Sequence, residues 1–151
     1  MERLAAPSEA AALAHDLANT IRATVWRGEG RARDALEALD GVRGEVPLEL
    51  ISLRYYSEEH ARYLRAELLQ KLDRDAEARR WFIAGFVDTP NELAFLAPVT
   101  LHRAQLAERG RDTVEAVDAY ALFLRLWAGC DPELRPTVDE ARRHLTALGR
   151  P

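Results

Sequence analysis

Three segments of the chain carry an Arg-Ala pair inside an apolar frame: Ile21-Arg22-Ala23-Thr24-Val25, Leu64-Arg65-Ala66-Glu67-Leu68 and His102-Arg103-Ala104-Gln105-Leu106. Twelve residues after each of these alanines stands a second one, Ala35, Ala78 and Ala116. Four residues further comes a bulky side chain: Leu39, Phe82 and Tyr120. Both sets of alanines step by 43 and then by 38 residues. The offset within a unit is therefore held while the spacing between units varies. A helical hairpin has that requirement. Small residues let two helices approach closely and so fix their relative offset, while the linker to the next hairpin is free to lengthen.

Composition agrees with helices. Ala (26) and Leu (22) supply nearly a third of the 151 residues, and both are strong helix formers. The length suits one ordinary domain, and we read 1–151 as a single one. One cysteine excludes an internal disulfide and a Cys-rich zinc site. The net charge of −4 argues against a nucleic-acid binder held by phosphate contacts. No apolar run approaches the roughly 18 residues of a membrane span. The N-terminal MERLAAPSEA lacks the apolar stretch of a signal peptide, so a cytoplasmic protein is expected.

Punctuation along the chain sets the helices. Ser8 is expected to cap a first helix, whose Leu13, Leu17, Ile21 and Val25 form one apolar stripe ended by Gly28 and Gly30. A second helix is expected over 31–39. Pro47 to Tyr56 reads as a single turn and a loop, with Tyr55 and Tyr56 over the seam between units. Ser57 opens a helix to about Leu72, and another follows over 73–86, closing near Pro90. One turn is expected over 91–96. Pro98 sits in the first turn of a helix that runs to Arg109. The next spans 113–127. Asp131 and Pro132 then start a final amphipathic helix carrying Leu134, Val138, Ala141, Leu145 and Leu148.

These anchors resemble the tetratricopeptide repeat, a helix–turn–helix unit of about 34 residues with small residues at its eighth and twentieth positions. Gly30 matches its turn glycine, and Pro47 and Pro90 fall where it places a closing proline. Asp73 and Arg111 depart from the turn glycine, and Arg stands at the seventh position of all three units. The resemblance implies an all-α fold: a short right-handed α-solenoid of three hairpins (10–47, 59–92 and 97–128) with a capping helix over 132–149. The stretches Asn91 to Pro98, Gly110 to Asp112, Phe123 to Trp127 and Asp131 to Leu134 further resemble the C-terminal repeat region of large bacterial kinase or transcriptional-regulator signalling proteins. No phosphate loop, kinase catalytic loop or helix-turn-helix accompanies them. A detached sensor-like module is thus implied, without the activity of such proteins.

In this family the first helix of each unit lines a concave groove. The resemblance therefore implies a partner-binding surface of Thr20, Thr24 and Arg27 in the first unit. His60, Tyr63, Glu67 and Gln70 follow in the second, and Leu101, Gln105 and Glu108 in the third. The lining is mixed in charge. Its expected occupant is a peptide or protein segment, with Tyr63 and Leu101 as apolar anchors.

Catalysis finds no support in the residues. His15, His60, His102 and His144 fall on four different helices, none with a partner at i+4, so no metal site is expected. Cys130 reads as a plain turn residue. No paired carboxylates or nucleophile elbow is present, and no cofactor is implied. Arg22, Arg65 and Arg103 are expected to lie over the core and pair locally with acids, rather than to form a ladder for an acidic partner. Trp26, Trp81 and Trp127 are expected to pack between hairpins. The chain therefore reads as a non-enzymatic binding scaffold. The alternative is a structural module whose apolar repeat ends mediate homo-oligomerisation.

Overall fold

The computed structural model describes residues 7–42, 58–83 and 92–149. Among them the regular structure is entirely helical. Helix α1 spans Pro7–Gly28, α2 Ala32–Asp40, α3 Glu58–Lys71, α4 Asp75–Ile83, α5 Leu96–Arg109, α6 Thr113–Leu126 and α7 Arg135–Leu148. Single 3-10 turns at Glu92–Phe95 and Pro132–Leu134 precede α5 and α7. The chain divides into two units, Met1–Trp81 and Phe82–Pro151. Expectations for Pro47 to Tyr56, for Ser57 as a cap and for the helix end and turn around Phe86 and Pro90 lie outside the described residues.

The same turn is built three times. Gly30, Asp73 and Arg111 each stand seven residues after the first alanine and adopt left-handed φ values of 78°, 58° and 61°. The N–H groups of Arg31, Arg74 and Asp112 each reach back to the carbonyls of Trp26, Leu69 and Ala107, at 2.8, 2.9 and 2.9 Å. The residue at positive φ donates in turn to Arg27, Gln70 and Glu108 at 3.1, 3.1 and 3.0 Å. This is the Schellman closure, which satisfies the last carbonyls of a helix. The second helix then begins with Ala35, Ala78 and Ala116 donating to Arg31, Arg74 and Asp112, each at 3.0 Å. The αL conformation is thus kept where the glycine is not. A non-glycine residue there costs roughly 1–2 kcal/mol, which the closure offsets.

All six anchor alanines are fully buried, each at 0% exposure. Leu39, Phe82 and Tyr120 are buried beside them. Nine-residue helices such as α2 are too short to be stable alone in water. Helix α2 holds by turning Ala35, Leu36 and Leu39 inward against α1 and α3. In the second unit, α5, α6 and α7 share a core of Ala104, Tyr120, Phe123, Val138 and Ala141. Trp127 and Leu145 pack against it. Helix α7 thus covers the apolar side of α6 and keeps its charged side outward.

Several local expectations shift. Helix α1 covers Pro7–Gly28, so Ser8 lies within it rather than at its cap. The expected stripe of α1 splits: Leu13 and Leu17 are half-buried, while Ile21 is 63% and Val25 52% exposed. The buried row is Asp16, Asn19, Thr20 and Ala23. Asp131 caps only the 3-10 turn, through its carbonyl, and α7 starts at Arg135 with Pro136 in its first turn. A working side-chain cap is Asp112, whose Oδ1 accepts from the Glu115 N–H at 3.2 Å at the start of α6. Cys130 is half-buried against the core of the second unit.

Candidate functional site

In the first unit α1 and α3 lie side by side, and the residues of the expected groove on these two helices meet along that seam. The Thr24 hydroxyl donates to the Thr20 carbonyl one turn back at 2.8 Å. That leaves its oxygen to accept from Nε2 of His60, 3.3 Å away. One turn further, Arg27 donates through NH2 to Oε1 of Glu67 at 2.6 Å. Lys71 stands 3.7 Å from the same oxygen. Thr20 itself is buried and spends its hydroxyl on the Asp16 carbonyl at 2.9 Å. Gln70 is half-buried on the same helix as Glu67.

The electrostatics follow from a carboxylate set into this wall. The Glu67 side chain is only 10% exposed and carries its charge between two cations. Its hydrogen bond to Arg27 raises the affinity of the guanidinium for its proton against the cost of burial. Burial pushes the Tyr63 hydroxyl up to about 12, with Glu67 adding and Arg27 opposing. Burial lowers His60 below the ordinary imidazole value; the Arg27 charge adds to this and Glu67 opposes. The imidazole is thereby held as a neutral hydrogen-bonding group.

Two polar atoms of the wall remain unsatisfied. Oε2 of Glu67 and Nε of Arg27 are buried with no hydrogen-bond partner. A buried acceptor and a buried donor left open so close together are uncommon, because each forfeits its hydration without return.

The α5 residues lie in the second unit. Leu101 is half-buried against the core of that unit. Gln105 is half-buried on the same helix. Glu108 is engaged within the unit. Its Oε2 accepts from the Tyr120 hydroxyl at 2.7 Å and its Oε1 meets Nδ1 of His144 at 3.1 Å. The Tyr120 and His144 rings also stack, 5.6 Å apart. Burial alone would raise the Glu108 carboxyl, but the bonds from His144 and Tyr120 and the His144 charge bring it below its usual value. Glu108 thus joins α5, α6 and α7.

The three arginines at the seventh position take three different partners. Arg22 donates to Asn19 on its own helix at 3.0 Å. Arg103 reaches Glu115 on the second helix of its hairpin at 3.3 Å. Arg65 turns to the preceding hairpin, where it donates to the Leu39 carbonyl and to Asp40 at the end of α2. Its guanidinium also lies 5.1 Å from the Trp81 ring centre. Trp26 is covered by Arg31 of its own hairpin, 4.8 Å from the ring centre.

Sequence reading missed two equivalent grooves. Arg22, Asp34 and Glu37 line one of about 430 Å³ between α1 and α2. Arg103, Glu115 and Asp118 line one of about 420 Å³ between α5 and α6. The signal was available: the acids stand one residue before and two after Ala35 and Ala116. Among the described residues no group of three His, Cys, Asp or Glu side chains stands close enough to hold a metal ion. No described helix is long and apolar enough to cross a membrane. No protein-family model, curated protein or solved structure matches this chain.

Proposed function

We propose that this chain is a non-enzymatic scaffold of the tetratricopeptide type that holds a peptide segment along the first helices of its hairpins. The observation that carries the reading is the α1–α3 wall. There buried Glu67 fixes the Arg27 guanidinium, whose side chain is 39% exposed, beside half-buried His60 and Tyr63. A peptide carbonyl accepts from the exposed guanidinium N–H groups. Tyr63 supplies an apolar ring with a neutral hydroxyl, a combination suited to binding surfaces. The three identical turns and six buried alanines support a repeat architecture, and the resemblance to repeat regions of bacterial signalling proteins suggests a regulatory setting.

The test is selection of ligands from a displayed random-peptide library on the full chain, followed by anisotropy titration of the best peptide. Glu67→Gln keeps the shape of the wall and removes its charge. Hydrogen bonds to charged groups contribute about 1.5–3 kcal/mol, so affinity is expected to fall by about 10- to 100-fold. Circular dichroism should show the helix content unchanged. Unaltered affinity in this variant would refute the assignment of the wall.

A further inference from the structure

Helix α1 has two faces, and its own unit uses only one. Asp16, Asn19, Thr20 and Ala23 are buried. On the opposite side Ala11, Ala14, Ala18, Ile21, Val25 and Gly28 follow one another at steps of three and four. That alternation is the seam along which one helix packs on another. It runs through most of a 22-residue helix. Apart from half-buried Ala18, every residue of the row is exposed.

The repeat shows what such positions do when they are covered. Ile21 and Val25 stand two residues before and two after Ala23. Their equivalents in α3 are Leu64 and Leu68, exposed by 2% and 0%. Helix α3 is covered by α1 and α2 of the preceding hairpin. In α5 the equivalent of Val25 is Leu106, again buried. So α1 keeps apolar residues at positions that in α3 receive a helix. Here they stand open.

We infer that α1 of a second copy of this chain packs antiparallel on this seam, giving a two-fold symmetric dimer. The row is self-complementary in that orientation only. Around a dyad between residues 18 and 21, Ile21 meets Ala18 of the second copy, Val25 meets Ala14 and Gly28 meets Ala11. Large side chains then fall opposite small ones at the four central contacts, as interdigitating helices require, and the small Gly28–Ala11 pairs let the helix ends approach. In a parallel pair Ile21 would oppose Ile21, and the alanines would oppose alanines across a gap. Head-to-tail stacking finds no match, because α7 presents Asp139, Arg142 and Arg143 on its outer side. A closed isologous pair is the arrangement these surfaces admit.

Sedimentation velocity of the full chain across a concentration series tests this. A dimer that dissociates on dilution is expected, and Ile21→Glu with Val25→Glu should be monomeric throughout with unchanged helix content. Both positions are exposed in the single chain, so the double variant keeps its core. Orientation is read by oxidative cross-linking in a Cys130→Ser background, with Ala14→Cys and Val25→Cys on separate chains. The antiparallel pair links only when the two are mixed. A chain that is monomeric at every concentration overturns the inference. So does a dimer that survives the double glutamate, or cross-links within each single-cysteine preparation in place of mixed ones.

Discussion

Exchanging the residue at the left-handed turn position should change stability in opposite directions in different hairpins. Gly30→Ala introduces a Cβ at φ 78°, with no atom within 4 Å to obstruct it. Any loss is then backbone conformation and not a clash. The αL penalty of roughly 1–2 kcal/mol is offset by the roughly 0.4–1 kcal/mol gained when alanine narrows the unfolded ensemble. The net expectation is a loss of about 1 kcal/mol. Arg111→Gly runs the same cycle backwards and should gain about 0.5–1 kcal/mol. Asp73→Gly should gain less, since a short polar side chain tolerates the αL region. Urea unfolding followed by circular dichroism reads all three as midpoint shifts at constant slope. Gly30 and Asp73 report on the first unit, Arg111 on the second. A neutral or stabilising Gly30→Ala, or a destabilising Arg111→Gly, would refute the claim that one strained turn is repeated.

Other perturbations test the internal clamps. Arg65→Ala removes the bonds to Leu39 and Asp40 and uncovers Trp81, and should cost about 2 kcal/mol in urea unfolding followed by tryptophan fluorescence. Arg65→Lys, which lacks the planar fork, should lose about half as much, and an equal loss in both would count against the geometry. Glu108 has a depressed carboxyl value, so its contribution is complete above the unfolded value of about 4.3 and lost as pH falls through the lower folded one. Protection factors of the α7 amides, taken against the intrinsic exchange rate at each pH, should therefore fall in acid, and Glu108→Gln should show that lower protection already at neutral pH. Tyr63 is raised to about 12, so its share of stability is present below pH of about 10 and lost between there and about 12. Tyrosinate absorbance in Tyr63→Phe should lack that late component.

Those residues also mark where reading the sequence stops. The alanine pairs were legible because a close helix–helix approach admits little else, and the offset of twelve repeats a covalent distance along one hairpin. The turn position was legible from the same offset, even where Asp73 and Arg111 replace glycine. The inward face of α1 was not. Its apolar row and its core row are different rows, because the core side holds Asp16, Asn19 and Thr20, and the side chains of Asn19 and Thr20 find hydrogen-bond partners on the same helix. Hydrophobic periodicity picks the apolar side, and here that side faces away. Nor could spacing pair Glu108 with His144, 36 residues apart, or send Arg65 back to Asp40. Both depend on how one helix settles on another. The wall of the candidate site was half legible. The repeat offsets put Thr24, Arg27, His60 and Glu67 on facing helices, but the open donor and acceptor appear only once the side chains are packed.

The proposed peptide site is the α1–α3 wall. A backbone-amide chemical-shift map of the full chain, titrated with a library-selected peptide, tests it most directly. Shifts concentrated at Thr24, Arg27, His60, Tyr63 and Glu67 are expected, and they should vanish in Glu67→Gln at the same peptide concentration. Shifts confined to the α1–α2 or α5–α6 grooves, or an unchanged map in the variant, would contradict it.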